Sequence, residues 1–205
     1  KAYGSIGYVD NVGTLKGQSY KRYNGIANVD ITPTKWFSMG ASLNTSYAVN
    51  EYGQSNVGRT AVTSSDGIYA TSRVNLPYAQ PFDANGVRIL YPGGDSVIRN
   101  VVDEDKYSQD QRVTLRAFGS FYAQFDFGSI SSALDGLKYR VNFGPDITAY
   151  RNGVFLDGLS SMRAGTSYAS LSKNQTISYT LDHLLFYNKT LGNHNFGLTL
   201  LQSQT

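Results

Sequence analysis

Residues 36–50 read WFSMGASLNTSYAVN and alternate between two kinds of side chain. Uncharged, mostly apolar residues hold the odd positions from Phe37 to Val49, and small polar residues hold most of the even positions. A β-strand places successive side chains on opposite faces, so this pattern predicts a strand with one apolar and one polar face. Globular strands usually end after about five or six residues, whereas a membrane-crossing strand needs about 9–11. The stretch is therefore long enough to cross a bilayer.

The same alternation recurs in three more stretches, at 22–32, 111–127 and 137–150. Within the four stretches, the odd positions 23–31, 37–49, 113–127 and 137–149 hold no Asp, Glu, Lys or Arg. The even positions beside them carry charges freely: Arg22, Asp30, Arg112, Arg116, Asp126, Lys138, Arg140 and Asp146. Arg or Lys on a lipid-facing position costs roughly 2–4 kcal/mol at the bilayer midplane, whereas a watered lumen accepts it. The alternation thus predicts a lipid face, including Phe37, Met39, Leu43, Val113, Leu115, Phe121, Val141, Phe143 and Ile147.

Composition agrees with a β-barrel membrane protein and disfavours other classes. The mean hydropathy is −0.31, and no stretch approaches the ~18 apolar residues that a membrane helix needs. A barrel hides its hydrophobicity in alternation, so its mean hydropathy resembles that of a soluble protein. The net charge of +3 is mild and the basic residues are scattered, which disfavours a nucleic-acid partner. The absence of cysteine excludes disulfides, a thiolate nucleophile and a Cys-ligated metal within this chain.

Seven strands are predicted, joined by connections that alternate in length. The strands lie at about 2–10, 20–32, 36–50, 111–127, 137–150, 174–189 and 195–203. Outer-membrane barrels have short periplasmic turns and long outer loops, so we expect loops 51–110 and 151–173 to be extracellular. Aromatic residues beside the short turns favour an interfacial girdle: Trp36, Phe37, Phe125, Phe127, Tyr139, Tyr187 and Phe196. Within the first long loop, residues 60–74 suggest a short helix.

Seven strands do not close a bacterial single-chain barrel, which uses an even number from eight upward. An open sheet edge does not persist in lipid, because unpaired backbone groups there cost several kcal/mol each. The predicted fold is therefore an all-β, antiparallel transmembrane β-barrel segment, and residues 1–205 form part of a larger barrel domain. Both ends of the chain look cut from a longer polypeptide, which we expect to supply the missing strands.

Several motifs resemble the SusC/RagA family of TonB-dependent outer-membrane transporters. The resemblance starts with Tyr8, Gly13-Thr14-Leu15-Lys16-Gly17 and Tyr20-Lys21-Arg22-Tyr23, leading into Asn28-Val29-Asp30. It continues in Lys35-Trp36-Phe37-Ser38-Met39-Gly40 with Leu43-Asn44, in Leu76-Pro77 with Pro81-Phe82-Asp83 and Gly86, and in Leu134-Asp135-Gly136-Leu137-Lys138-Tyr139. Near the end, Leu181-Asp182-His183-Leu184-Leu185, Tyr187-Asn188-Lys189-Thr190 and Gly192-Asn193-His194 are also similar.

The resemblance implies a barrel of about 22 strands, a size associated with a plugged lumen. It also implies uptake of large hydrophilic nutrients, either oligosaccharides or oligopeptides, across the bacterial outer membrane. A SusD-like surface lipoprotein is the implied lid, and TonB, acting on a plug outside these 205 residues, is the implied energy source. No cofactor is implied.

The lumen-side charges allow two interpretations. They either form structural pairs or contact the plug, as in Lys138 or Arg140 beside Asp126, or they contact the cargo. Arg112 and Arg116 are the favoured cargo contacts among them, since they lie toward the outer mouth. Tyr150, at the outer end of its strand, suits stacking on a sugar ring or a plain interfacial role.

Other chemistry has little support in the sequence. His183 and His194 are the only histidines and have no carboxylate cluster beside them, so a metal site is not expected. Asp103-Glu104-Asp105 reads as a solvated charge run rather than a calcium site. No catalytic motif is present, so an enzyme is not expected.

Two other functional classes stay open at this point. A passive porin would share the lumen but lack a plug and energy coupling. A soluble β-sandwich adhesin or glycan-binding module would bury the apolar positions Leu43, Val113, Phe121 and Val141 under a second layer.

Overall fold

The computed structural model describes residues 1–53, 71–96, 98–163 and 165–205. Seven long strands dominate this part of the chain, and each is between 11 and 24 residues long. Their bounds are β1 Ala2–Val12, β2 Gln18–Thr34, β3 Phe37–Tyr52, β4 Ser108–Asp126, β5 Leu137–Leu156, β6 Tyr168–Leu191 and β7 His194–Gln204.

The strands form one antiparallel sheet in the order β1-β2-β3-β4-β5-β6-β7, so that each strand pairs with its neighbours in sequence. Residues paired across a ladder lie on the same face, and Val29, Ala41, Phe121 and Phe143 are paired in this way from β2 to β5. The odd positions of β2 to β6, with the even positions of β1, therefore share one surface, which we call the apolar face. The opposite surface, which carries the even positions of β2 to β6, is the polar face. The predicted seven-stranded antiparallel fold is confirmed.

Connections of different length lie at the two ends of the sheet. Residues Lys35 and Trp36 join β2 to β3, and Gly192 and Asn193 join β6 to β7. Two 3₁₀ turns, Phe127–Ser129 and Ser132–Leu134, join β4 to β5 at the same end, which we call the turn end. The opposite end, which we call the loop end, carries the connections 13–17, 53–107 and 157–167.

The second long loop is shorter than the sequence predicts. β5 and β6 stay paired from Arg151↔Lys173 up to Leu156↔Tyr168, so strand replaces most of the predicted loop 151–173. The reason is that Val154, Leu156 and Tyr168 are covered by loop residues and continue the sheet beyond the apolar pattern. The predicted helix 60–74 lies mostly outside the described residues, although 71–73 are helical.

The sheet is a single layer over most of its length. Large apolar side chains of the apolar face remain open, with Leu43 at 39%, Phe121 at 38% and Phe143 at 42% exposure. No second layer covers them in the described chain. An exposed apolar surface of this extent marks a contact with another apolar phase, and the absence of a covering layer argues against a β-sandwich.

The one buried hydrophobic cluster in the described residues lies at the loop end. Val154, Leu156 and Met162 form it, with Tyr168 packed against them. Val154 and Leu156 are on the polar face, whereas Phe155 between them points to the other side and is 45% exposed. The loops therefore fold over the polar face and leave the apolar face open. Among the described residues, no helix is long and apolar enough to cross a membrane.

Candidate functional site: the polar face and its loop layer

Three of the predicted lumen-side cations form ion pairs on the polar face. Lys138 Nζ lies 3.0 Å from Asp126 Oδ2, and these two residues are also opposite each other in the β4–β5 ladder. Arg116 donates from Nη2 and Nε to the two carboxylate oxygens of Asp146, at 2.6 and 3.2 Å. This bidentate geometry fixes the guanidinium on the sheet.

Arg112 is paired within its own strand. Its Nε and Nη2 atoms lie 3.3 Å from the two oxygens of Asp110, which is buried, and its guanidinium stacks 3.9 Å from the ring centre of Tyr52. Arg112 and Arg116 are thus held by neighbours in this chain, as in the structural-pair interpretation. The sequence did not reveal these partners because Asp110 precedes the predicted strand and Asp146 lies on the next strand.

A second cluster of the polar face depends on a glycine. Asp30, Gly40 and Tyr122 lie in one row across β2, β3 and β4, and the Tyr122 hydroxyl donates to Asp30 Oδ1 over 2.9 Å. A Cβ at Gly40 would collide with both neighbours. Arg140 stacks 4.1 Å from the centre of the Tyr122 ring and donates to Asn142 Oδ1 at 2.7 Å. Of the two cations considered as partners of Asp126, Lys138 therefore forms the pair, and Arg140 contacts the Tyr122 ring and the Asn142 amide instead.

Two predicted residues have side chains that no ion pair or hydrogen bond engages in the described chain, namely Arg22 and Tyr150. They lie in one row, Arg22–Ala48–Thr114–Tyr150, across four strands. Strands are about 4.8 Å apart, so their Cα atoms are separated by about 14 Å. The small residues Ala48 and Thr114 leave a shallow shelf between them on the polar face.

Unpaired acceptors flank this shelf. The side-chain oxygens of Asn24 and Asn152 are buried and have no hydrogen-bond partner in the described residues. Asn24 lies one row from the shelf toward the turns, and Asn152 lies one row toward the loops. Buried polar atoms are nearly always satisfied, so these oxygens suit a donor from water or from a bound molecule.

On the loop side of the shelf, the residues of the long loops that cover the polar face form what we call the loop layer. An ion pair with almost no exposure holds this layer together. Arg88 Nη2 lies 2.7 Å from Glu104 Oε2, and their side chains are 1% and 0% exposed. Arg88 also donates to the carbonyl oxygens of Asn100 at 2.6 Å and Leu159 at 2.7 Å. Arg88 therefore binds both long loops together.

The remaining bonds of Glu104 also join the two loops. The Ser160 hydroxyl donates to Glu104 Oε1 at 2.5 Å, and the Ser161 amide donates to Oε2 at 2.9 Å. The interpretation of 103–105 as a solvated charge run is therefore wrong for Glu104. Its partner lies 16 residues away in a loop without periodicity, which is why sequence patterns missed the pair.

Asp103, the acid that precedes Glu104, is not buried with it. Lys106 Nζ lies 2.8 Å from Asp103 Oδ2 at the surface. The hydrogen bond from Lys106 holds the pKa of Asp103 below its ordinary value, and the same bond raises the pKa of Lys106. No cluster of three or more His, Cys, Asp or Glu suited to a metal occurs in the described part of the chain.

His183 lies on the apolar face, where its Nδ1 atom is 2.6 Å from the Tyr139 hydroxyl. Three of the seven residues predicted for an aromatic girdle form a cluster at the turn end, and the girdle itself stays a prediction. The ring centres of Trp36, Phe37 and Phe125 are 5.1–6.2 Å apart.

Comparison with known proteins gives matches over nearly the whole chain. A TonB-dependent receptor P3 of Formosa agariphila is 25% identical over 199 residues, which is 97% of this chain and 19% of the receptor. The RagAB peptide importer in its open-open state superposes with a TM-score of 0.69 at 20% identity, covering 98% of this chain and 22% of that one. Its closed-closed state gives a TM-score of 0.67 at 20% identity. No protein-family model matches.

The chain thus spans about a fifth of the length of these relatives. The sequence match and the shared antiparallel sheet agree with the motifs described above. The chain is confirmed to resemble a barrel segment of a SusC/RagA-like TonB-dependent transporter.

Proposed function

We propose that this chain is part of an outer-membrane importer that takes up large hydrophilic nutrients with energy supplied through TonB. One observation carries the proposal: a single-layer sheet of membrane-spanning length leaves an apolar face uncovered and folds its loops over the charged, polar face. In a barrel this arrangement puts lipid outside and the loop layer inside the mouth. The loop end is then extracellular, and the described residues pass the outer membrane several times.

The cargo we propose is an oligopeptide or an oligosaccharide that meets the shelf between Arg22 and Tyr150. The free guanidinium suits a carboxylate or carbonyl, the ring suits an apolar or sugar face, and the Asn24 and Asn152 oxygens suit N–H or O–H donors. Many weak polar contacts allow a cargo to bind and also to leave. The structural match to an importer named for peptides favours peptide over sugar.

The proposed partner is a SusD-like lipoprotein lid on the loop end. Through their bonds to residues 159–161, Arg88 and Glu104 join the described parts of the two long loops, which gives a lid a preformed surface. TonB and a plug would act through the rest of the polypeptide. A passive porin is the competing function, and it differs by requiring no energy.

Uptake by the full-length protein tests the proposal. We would delete the gene, restore it on a plasmid, and measure import of labelled oligopeptides and oligosaccharides with and without an uncoupler of the inner-membrane potential. We expect import to depend on the gene and to stop with the uncoupler. Import that continues at full rate with the uncoupler would indicate the passive channel instead.

The shelf is tested by Arg22→Ala combined with Tyr150→Ala. Loss of a charged donor and a stacking ring should raise the half-saturating cargo concentration about tenfold. Ser120→Ala, on the polar face nearer the turns, is the matched control and should import normally. Equal import by the double variant and the control would remove the shelf from the cargo path.

A further inference from the structure

A row of charges crosses the loop-side end of the apolar face. Asp10, Lys21, Arg151 and Lys173 occupy it, with Val49 and Val113 between them in the ladders. Toward the turns, the next rows of the same face hold Tyr23, Tyr47, Leu115 and Ala149 and then mostly apolar residues. In the direction from the turns to the loops, this row is where the apolar face begins to carry charged side chains.

Two of these four charges are matched by an opposite charge within the described chain, and the other two are not. Lys21 Nζ lies 3.7 Å from Asp10 Oδ2. Arg151 donates through Nη2 to the side-chain oxygen of Gln111, whose amide donates to Glu51 Oε1 at 2.5 Å. Lys173 is an exposed residue, and its side chain has no ion pair or hydrogen bond in the described chain.

Arg151 and Lys173 stand directly opposite each other in the β5–β6 ladder. Directly opposed residues have Cβ atoms about 5 Å apart, and like charges in such positions destabilise a sheet. The nearest acid on this face, Glu51, reaches Arg151 only through Gln111. An anion placed between the two cations would remove this repulsion.

The two cations border a groove with an apolar floor. The groove has a volume of about 450 Å³. Its lining includes Val113, Leu115, Ala149, Arg151, Lys173 and Gln175 of the apolar face, with Tyr150 and Asn174 from the alternate positions of the same strands. Leu115 is 46% exposed. A ligand that fits both parts has an anionic group at one end and a hydrocarbon chain at the other.

The distance of Arg151 and Lys173 from the turn end matches the position expected for a lipid headgroup. Tyr139 lies in the ladder row of Phe37 and Phe125, at the height of the aromatic cluster at the turn end. Arg151 follows it by twelve positions in β5. At about 3.3 Å per residue and a tilt of about 45°, this corresponds to about 28 Å, close to the ~30 Å hydrocarbon thickness of a bilayer.

We propose that Arg151 and Lys173 bind the phosphate of an outer-leaflet glycolipid of the lipid A class, whose acyl chains lie on Val113, Leu115 and Ala149. The assignment to the outer leaflet rests on the proposed function, which makes the loop end extracellular. Arg and Lys are the usual partners of phosphate. Gln111 accepts a hydrogen bond from Nη2 of Arg151 and so holds one end of the guanidinium. The site lies on the opposite face of the sheet from the cargo shelf.

The test uses the full-length protein in nanodiscs of neutral phospholipid. Thermal unfolding is measured with increasing diphosphorylated lipid A, with the same lipid after removal of its phosphates, and with phosphatidylglycerol at equal phosphate concentration. A ligand that binds only the folded protein raises the melting temperature in proportion to its affinity. The variants are Arg151→Gln with Lys173→Gln, and the control Lys189→Gln, which removes a half-buried cation paired with Asp135 from the turn end of the same face.

We expect diphosphorylated lipid A to raise the melting temperature of the wild type and the control. The dephosphorylated lipid should have little effect, and the double variant should need about tenfold more lipid A for the same rise. Equal responses of double variant and control, or equal effects of dephosphorylated lipid or phosphatidylglycerol, would overturn the proposal. If the double variant does not fold, Lys173→Gln alone takes its place in the lipid A titration.

Import by the wild type and the same variants is measured in cells, where TonB and the inner-membrane potential are present. Because the groove faces away from the cargo, the double variant should import at the wild-type rate. A wild type that binds lipid A but imports nothing would refute the proposed function while leaving the lipid site standing. A wild type that imports cargo but shows no response to lipid A would refute the lipid site while leaving the proposed function standing.

Discussion

Arg88 and Glu104 show how a single ion pair organises the loop layer. Burying two charges is costly, and the cost is offset only when hydrogen bonds satisfy both ions. Glu104 receives bonds from Ser160 and from the Ser161 amide. Arg88 donates to two carbonyl oxygens and stacks 4.5 Å from the centre of the Tyr107 ring, while its Nε has no hydrogen-bond partner in the described residues. The pair therefore fixes the position of loop 157–167 relative to 71–107.

Removal of one partner should loosen both loops. Arg88→Met leaves Glu104 buried without its cation, which costs roughly 3–5 kcal/mol for pairs of this type. We expect faster protease cleavage within 71–107 and 157–167 of the folded full-length protein, and partial recovery in Arg88→Met with Glu104→Leu. Lys106→Met, which breaks the exposed pair with Asp103, is the control and should cleave like the wild type.

Side-chain partners that lie opposite each other on regular strands were predictable from the sequence. Lys138 and Asp126 are such a pair, and their contact was predicted. Arg88, Asn100 and Glu104 escaped prediction because irregular loops carry no period that places one side chain near another. The predicted cargo contacts Arg112 and Arg116 proved to be paired within the sheet, since partner choice depends on side-chain reach as well as on strand register.

At the scale of single elements, the turn between β4 and β5 depends on Gly136. Its φ is 88°, in the region that other residues avoid, and a Cβ there would overlap the carbonyl oxygen of Asn188 on β6. The Asn188 amide in turn donates to the Gly136 carbonyl at 2.9 Å. The close approach joins the turn to the neighbouring strand.

Alanine at Gly136 should destabilise the barrel more than alanine at Gly192. Gly192 also has a positive φ, of 61°, but has open space around it. Gly192→Ala should cost about 1 kcal/mol for the left-handed backbone, and Gly136→Ala at least about 2 kcal/mol because the overlap adds to it. Urea unfolding of the full-length protein in lipid measures both. Equal costs would show that the approach to Asn188 relaxes freely.

The strands themselves were predictable because alternation depends only on local geometry. The positions that lack charge do share one face, as the pairing of Ala41, Phe121 and Phe143 shows. The strand ends at the loop side were predicted too short, since residues such as Val154 and Leu156 owe their strand geometry to loops packed on them.

A charge on the apolar face should block assembly, whereas one on the polar face should not. Phe121 and its neighbour Ser120 point to opposite faces of β4. Phe121→Arg places a cation in hydrocarbon at a cost of roughly 2–4 kcal/mol, while Ser120→Arg meets a watered lumen. We expect much less folded protein in the outer membrane for Phe121→Arg, measured by heat-modifiable gel mobility. Similar amounts for both variants would contradict the two-faced sheet.

For the whole molecule, the sheet predicts which side of each strand touches lipid, and this prediction underlies both the import function and the lipid site. The 205 residues contain no cysteine, so single cysteines introduced along β3 give probes without background thiols from this segment. Labelled with a fluorophore, Met39→Cys, Leu43→Cys and Tyr47→Cys should be quenched by brominated lipid, and Ser42→Cys and Ser46→Cys by aqueous iodide. A soluble sandwich would shield the first set from both quenchers, and a sheet in the reverse orientation would exchange the two sets.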